Sequence, residues 1–397
     1  MKIVFHDYGG YPFIGDISSY FAELGHEVWH LYSSSSGSPN GNFIERKGYV
    51  VKDLERDAPP KPKNSFVSRF INEFEYGKIA ERELKNIKPD IVISSNTPLL
   101  AQYRIINYCK SNNIKSVFWF QDILSFAARN VLRKKNIILG KIAYIFFFLL
   151  EKYSLDKSDA IISISDDFKT VLEKWGISEN KIFRINNWAQ IALIPMRPKK
   201  NAFSQKYGIS ETFNFIYTGT LGMKQDPDVL VKIARKFRNR SGIRLIVVGI
   251  GEGMHLLNGI IKDEQINNVQ LLPLQPYEDL PQILAAADVL VASLKEDSGE
   301  FCVPSKLLTY YCSGKPSLLS IPADNQAAQI ASSEGIGFVA PPGNNIELDK
   351  LLDFLISNPN TLIEKGDRAR KYAEREFDIN TIGNEFEKVF EYLKLSH

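Results

Sequence analysis

Cysteine is scarce: Cys109, Cys302 and Cys312 are the only three in 397 residues, and none is in CxxC spacing. That excludes a disulfide framework and a cysteine zinc site, and it points to a reducing compartment. The five histidines (His6, His26, His30, His255 and His397) have no ligand spacing and form no HExxH motif, so no metal is expected. The longest unbroken apolar run, Ile142 to Leu150, falls well short of the roughly 18 residues of a membrane span. The opening "MKIVFHDYGGYPF" turns polar too early for a secretory leader, and the expectation is a cytoplasmic protein. A formal net charge of +3 gives no electrostatic reason for a nucleic-acid partner. There is no Walker lysine and no nucleophilic serine elbow. Glycines 249, 251 and 253 miss GxGxxG by one residue, and the next strand ends without an acid for a ribose, which argues against a dinucleotide.

What the chain does have is an alternation of short apolar runs with helical patterns, the signature of parallel sheet with crossover helices. The first half offers "KIVFHDY", "EVWHLYS", "DIVISS", "KSVFWF", "AIISIS" and "KIFRINN" as strands. The second half begins again with "FNFIYTGT", "IRLIVVGIG", "VQLLPL", "DVLVASL", "PSLLSI" and "GIGFVAPPG". Between them the period lapses, and Pro195, Pro198 and a basic pair mark a connection. The expected organisation is an α/β domain over 1–190, a linker over 191–210, a second α/β domain over 211–375 and a terminal helix over 376–397. Ile382, Phe386, Phe390 and Leu393 line one face of that helix. Two doubly wound domains facing a cleft would bind ligands beyond the carboxyl ends of their strands.

Three glycine-rich turns follow strands: "YGGYPFIGD", "YTGTLGMKQDPD" and "VVGIGEGM". Each can hold an anion on backbone amides, and each can equally be only a turn. Asp226 and Asp228 superficially resemble a Mg²⁺ pair but suit a helix N-terminus better, with Asp226 as N-cap and Pro227 at the first helical position. In "EFCVPSKLLTYYCSGKP" a lysine stands on the first turn of a helix, where the macrodipole disfavours positive charge. With Pro304 opening the helix, the Ser305 and Lys306 amides, the Ser305 hydroxyl and the Lys306 ammonium make a donor cluster suited to a phosphate pair. Lys224, after the "TGTLG" turn, adds a second cation, and the two turns together point to a diphosphate.

These residues resemble the retaining glycosyltransferases of family 4, which have the GT-B fold of two Rossmann-like domains. The resemblance rests on "HDYGGYPF" with "ELGHEV", "FQDIL", "ISDDFKTVLEKWGI", "INNW", "YTGTLG", "VVGIGEG" and "VPSKLLTYYCSGKP" in this order. It is similar above all to the bacterial branch that makes colanic-acid, O-antigen and capsule sugars. The resemblance implies a metal-independent transferase without a cofactor. Its second domain would hold a nucleotide-diphosphate sugar, UDP favoured, and its first an acceptor. It further implies that Gly219, Thr220 and Gly222 shape the turn under the diphosphate, with Lys224, Ser305 and Lys306 as phosphate partners. Glu300 would lie near the donor sugar, Gly15 would end the loop beneath it, and Asp122 would face the anomeric centre. Two departures stand out. Many members carry two glutamates with seven residues between them; the second is Thr309 here, and Glu300 matches the first only after a one-residue shift. The usual arginine of the phosphate turn is Thr220.

The same branch implies a polyprenyl-diphosphate-linked acceptor at the inner face of the plasma membrane. The segment 129–153 sets Arg129, Arg133, Lys134, Lys135 and Lys141 beside apolar residues. It reads either as an element lying on an anionic membrane or as a buried core helix after a basic loop. An epimerase or phosphorylase of the same architecture, or a non-catalytic nucleotide-sugar-binding subunit, are the alternative functions.

Overall fold

The computed structural model describes residues 1–36, 43–56, 66–133, 137–222, 224–296 and 304–395. The chain forms two compact units, Met1–Asn187 with Ile379–His397, and Trp188–Asp378. In the first, strands β1 (Lys2–Asp7), β2 (Glu27–Tyr32), β3 (Tyr49–Asp53), β4 (Ile91–Ser95), β5 (Lys115–Phe120), β6 (Ala160–Ser163) and β7 (Ile182–Arg184) make one sheet. Its order is β3-β2-β1-β4-β5-β6-β7 and every pairing is parallel. The crossovers carry α1 (Pro12–Glu23), α2 (Phe66–Ile87), α3 (Leu99–Ser111), α4 (Leu124–Arg133), α5 (Ile137–Lys157) and α6 (Asp166–Lys174). Helices on both faces bury both sides of the sheet, which is why these strands read as continuous apolar runs rather than alternating ones.

The second unit repeats the plan with β8 (Phe213–Thr220), β9 (Ile243–Ile250), β10 (Val269–Leu272), β11 (Val289–Ser293), β12 (Ser317–Ser320) and β13 (Gly337–Val339), in the order β10-β9-β8-β11-β12-β13. Its helices are α7 (Ala202–Lys206), α8 (Asp228–Lys236), α9 (Glu252–Asp263), α10 (Leu280–Ala285), α11 (Lys306–Cys312), α12 (Gln326–Ser333), α13 (Asn345–Ser357) and α14 (Pro359–Glu376). Asp226 accepts the Asp228 amide at 3.0 Å, so α8 starts just after Pro227, one residue later than the sequence suggests. Residues 191–210 fall within the second unit. Within them Asn201 and Ser204 build a capping box that starts α7, and the Asn201 side chain reaches the Gln282 carbonyl.

The chain then returns to the first unit, where α15 (Ile379–Leu395) packs on α1. Ile382, Phe386, Phe390 and Leu393 are all buried, the face expected from their spacing. Phe386 meets the rings of Phe5, Phe21 and Trp119, and a Cβ on Gly383 would stand 2.1 Å from the Tyr20 ring. Close approach, not flexibility, is what the glycine provides. Truncating a fully buried phenylalanine leaves a cavity as well as a lost transfer term. Phe386→Ala is therefore expected to destabilise the first unit by about 3–5 kcal/mol, read as a lower urea midpoint for its unfolding. An unchanged midpoint would show that α15 is not part of that core.

Candidate functional site

Each sheet reverses its winding once, between β1 and β4 in the first unit and between β8 and β11 in the second. Ligand crevices in such sheets lie at the carboxyl ends of these strands. In the second unit β8 and β11 pair only at Phe215–Val289 and Ile216–Leu290. Beyond that point the Tyr310 hydroxyl fills the gap, accepting the Thr218 N–H at 3.0 Å and donating to the Val291 carbonyl at 3.2 Å. This buried phenol hangs α11 from the place where the strands part. The preceding turn of α11 is thereby set over the end of β8.

Lys306 is the result. Its Nζ lies 3.5 Å from the centroid of the Tyr217 ring and 3.5 Å from the Thr220 carbonyl oxygen. A Cβ on Gly219 would be 3.9 Å from the same Nζ, and Gly219 has φ of +98°, a backbone that strongly favours glycine. Tyr217, whose hydroxyl donates to the Thr220 carbonyl at 2.7 Å, holds this turn from below. The Tyr217 ring and the Thr220 carbonyl both meet the ammonium, which lies beside the glycine turn. Gly219, Thr220 and Lys306 therefore come together. Ser305, exposed and already helical in backbone, opens α11, which runs from Lys306 rather than from Pro304.

Gly222 donates its amide to the Gln225 side chain at 2.9 Å, and the Lys224 carbonyl accepts the Lys295 N–H at 2.9 Å. The loop after β8 is thus tied to the loop after β11. A concavity of about 560 Å³ opens here, lined by Asp226, Lys295, Glu296, Pro342 and Gly343. The third glycine turn has a different task. Cβ atoms on Gly249, Gly251 and Gly253 would stand 2.2 Å from the Gly219 oxygen, 2.6 Å from the Leu221 oxygen and 2.5 Å from the Leu221 side chain. The Gly253 amide is already given to the Leu221 carbonyl at 2.9 Å. These glycines let one turn pack into another.

Thr309 is half-buried, and its hydroxyl donates to the Lys306 carbonyl at 2.8 Å. With its proton spent inside the helix, it can serve a ligand only as an acceptor. Glu300, with Phe301 and Cys302, lies outside the described residues. Cys109 and Cys312 are buried free thiols. Among the described residues no three His, Cys, Asp or Glu side chains converge as metal ligands would.

In the first unit the reversal point is marked by Asp7, which sequence reasoning missed. Its buried carboxylate accepts the Gly9 amide at 3.1 Å, the Tyr11 amide at 2.5 Å and the Asn96 side chain at 3.4 Å. Asn96 itself has a left-handed φ of +48°, a strained position at the end of β4. Burial pushes Asp7 from an ordinary 3.8 up to about 7, the amides pulling only part of the way back. Gly15 sits inside α1, not in the loop as expected; a Cβ there would come 2.6 Å from the Phe43 ring, so its smallness serves packing. Asp122 is exposed in the short loop between β5 and α4. The neighbouring Gln121 exchanges two amide hydrogen bonds with Asn187, at 2.9 and 2.6 Å.

The helix α5 is not a buried core helix. Ile138, Ile142, Ile145 and Leu149, spaced to share one face, are 68%, 59%, 56% and 60% exposed. Phe146, 42% exposed, adjoins them and meets Phe70 of α2, where Ile71 and Phe74 are exposed as well. No helix among the described residues is long and apolar enough to cross a membrane.

Two family models match the chain: Glycosyltransferase Family 4 over residues 12–192 and Glycosyl transferases group 1 over residues 199–376. The colanic acid biosynthesis glycosyl transferase WcaI of Escherichia coli K12, a putative assignment by its own description, is 26% identical over 304 residues, 75% of this chain and 73% of that one. The probable glycosyltransferase WbjE of Pseudomonas aeruginosa is 23% identical over 274 residues, 66% of this chain and 65% of that one. Among solved structures, Anabaena HepE with UDP-glucose superposes with a TM-score of 0.72 at 17% identity, covering 99% of both chains. Sucrose-phosphate synthase of Thermosynechococcus elongatus gives 0.76 at 14% identity over 100% of both. These two fix the fold.

The Asp7 carboxyl yields a test by pH. Its folded value lies above its unfolded one, so the folded state holds the proton longer and stability falls as pH rises from about 4 to 7. Asp7→Asn is expected to remove up to about 1.4 kcal/mol per pH unit of that slope, measured by denaturation at several pH values. Parallel profiles for the two proteins would contradict it.

Proposed function

We propose, from the premise that this chain belongs to glycosyltransferase family 4 and has the GT-B fold, that it moves a sugar from a nucleotide-diphosphate sugar to a sugar acceptor. The observation that carries this reading is the convergence of Lys306 with the Gly219–Thr220 turn at the reversal point of the second sheet. The diphosphate of the donor rests there, and Lys224, exposed on the same loop, adds a second positive charge. UDP is favoured as the nucleotide, because HepE, of the same fold, is solved with UDP-glucose. Bacterial surface polysaccharide is the product class, in line with what WcaI is described as building.

The step asks for charge at the leaving group. As the bond from the anomeric carbon to the diphosphate breaks, negative charge grows on the phosphate oxygens, and Lys306 stabilises it. The acceptor oxygen bonds to the anomeric carbon on the same face, so configuration is retained, and its proton passes to the departing phosphate. Asp122 orients the acceptor hydroxyl or stabilises the positive anomeric centre. The lysines supply the charge a metal would otherwise bring, so transfer is expected to survive EDTA. Lys306→Ala is expected to weaken UDP binding about 10- to 100-fold, the equivalent of roughly 1.5–3 kcal/mol for a charged hydrogen bond. Calorimetry with UDP, GDP and ADP reads this. Incubation with UDP-sugars and a membrane lipid extract is expected to give a labelled glycolipid. Sugar isomerisation, or binding without turnover, would contradict the reading.

The acceptor is a polyprenyl-diphosphate-linked glycan, met at the inner face of the plasma membrane. What supports this is the exposed apolar face of α5 in a sequence that carries Arg129, Arg133, Lys134, Lys135 and Lys141 and no acidic residue between Ile123 and Leu150; Lys134 and Lys135 lie outside the described residues. Anionic lipid answers both features. Replacing Arg133, Lys134 and Lys135 with serine is expected to release the protein from phosphatidylglycerol vesicles. Undiminished co-sedimentation would refute the contact.

A further inference from the structure

Glu151 has no part in the scheme above, yet it is 0% exposed and fully engaged. It stands near the end of α5, and its carboxylate accepts the Leu124 N–H at 2.8 Å, the Ser125 N–H at 3.2 Å and the Ser125 hydroxyl at 2.5 Å. Those are the opening residues of α4, whose first amides have no partner within their own helix. The residue before Leu124 is Ile123, buried and unable to cap. A carboxylate from a neighbouring helix thus does the work that a serine or aspartate one position earlier would do locally. The cost is evident: burial raises Glu151 to about 7, Ser125 and the two amides lower it in part, and the charge of Asp122 raises it again.

An arrangement this costly fixes more than a helix end. Asp122 is two residues before Leu124, and on its other side Gln121 is locked to Asn187. The loop bearing Asp122 is therefore clamped at both ends, once by an amide pair and once by a buried anion close enough to act on Asp122 electrostatically. We propose that Glu151 is a positioning residue that sets the place of Asp122. This rests on the acceptor-side role given to Asp122 above. Among the described residues, several charges around α5 have partners of their own. Arg129 of α4 lies over the Phe126 and Tyr144 rings, Arg104 and Lys110 of α3 pair with Glu81 and Asp159, and Lys152 pairs with Asp156. Because the carboxylate is on α5, the helix with the apolar outer face also holds the loop of the reacting side.

Glu151→Gln keeps the volume and one acceptor oxygen but removes the charge, and Glu151→Asp keeps the charge on a shorter arm. Hydrogen exchange and transfer kinetics, each as a function of pH, test the proposal in the full chain. In Glu151→Gln, exchange at the Leu124 and Ser125 amides is expected to quicken about tenfold, the equivalent of about 1.4 kcal/mol, while peptides of β8 and α11 keep their rates. The kcat of transfer is expected to fall with KM for the donor unchanged; the wild-type profile is expected to bend near pH 7 and that of Glu151→Gln not to, with Glu151→Asp restoring the bend in part. Unchanged exchange at those two amides would overturn the proposal whether or not the protein transfers sugar. So would faster exchange with kcat and its pH profile unaltered. Absence of transfer by the wild type would overturn the function proposed above and leave the clamp to be decided by exchange alone.

Discussion

Between β8 and β11 two parallel strands stop pairing after Leu290, and a tyrosine hydroxyl takes over the hydrogen bonds they can no longer share. Open a doubly wound sheet at its reversal point, and the exposed edge groups must find partners or pay for their burial. Tyr310 supplies them, and because it is the fifth residue of α11 it also fixes where that helix begins. The position of Lys306 follows. The same split that strands backbone groups thus delivers an ammonium to a glycine turn. Every other feature of the second unit's site, from the Tyr217 ring to the interlocked glycines after β9, serves to keep that turn in place.

The first unit meets the same problem with carboxylates. Asp7 gathers the amides that follow β1, and Glu151 gathers those that open α4. Both are buried, and both are pushed to about 7 by that burial. Carboxylates held so close to neutrality sit where a small change in environment moves a proton. One unit thus sets an ammonium beside a glycine turn, and the other uses buried carboxylates to order short loops.

How legible this was in the sequence varied with the kind of signal. Strands buried on both faces announce themselves as apolar runs, and β1, β2 and β4 to β13 lie within the runs read from the sequence. The edge strand β3, "YVVKD", is short, half-buried and ends in charge, so it carries no such mark. Turn glycines 219 and 222 and Lys306 were visible because motif and topology agreed. Gly15 and the glycines after β9 were visible too, but smallness for packing and smallness for ligand approach look alike until the neighbouring atoms are known. Tyr217, Tyr310, Asp7 and Glu151 were not legible: each acts through a partner distant in sequence, and Glu151 hides at the end of the most apolar window. The exposure of α5 was undecided between core and surface, because periodicity gives a face and not what covers it.

A crystal structure of the chain with UDP tests directly whether Lys306 and the Gly219 turn hold the donor's diphosphate. The β-phosphate is expected within hydrogen-bond distance of the Lys306 ammonium and over the Gly219–Gly222 backbone. A diphosphate seated on the glycines after β9, or one out of reach of Lys306, would contradict it.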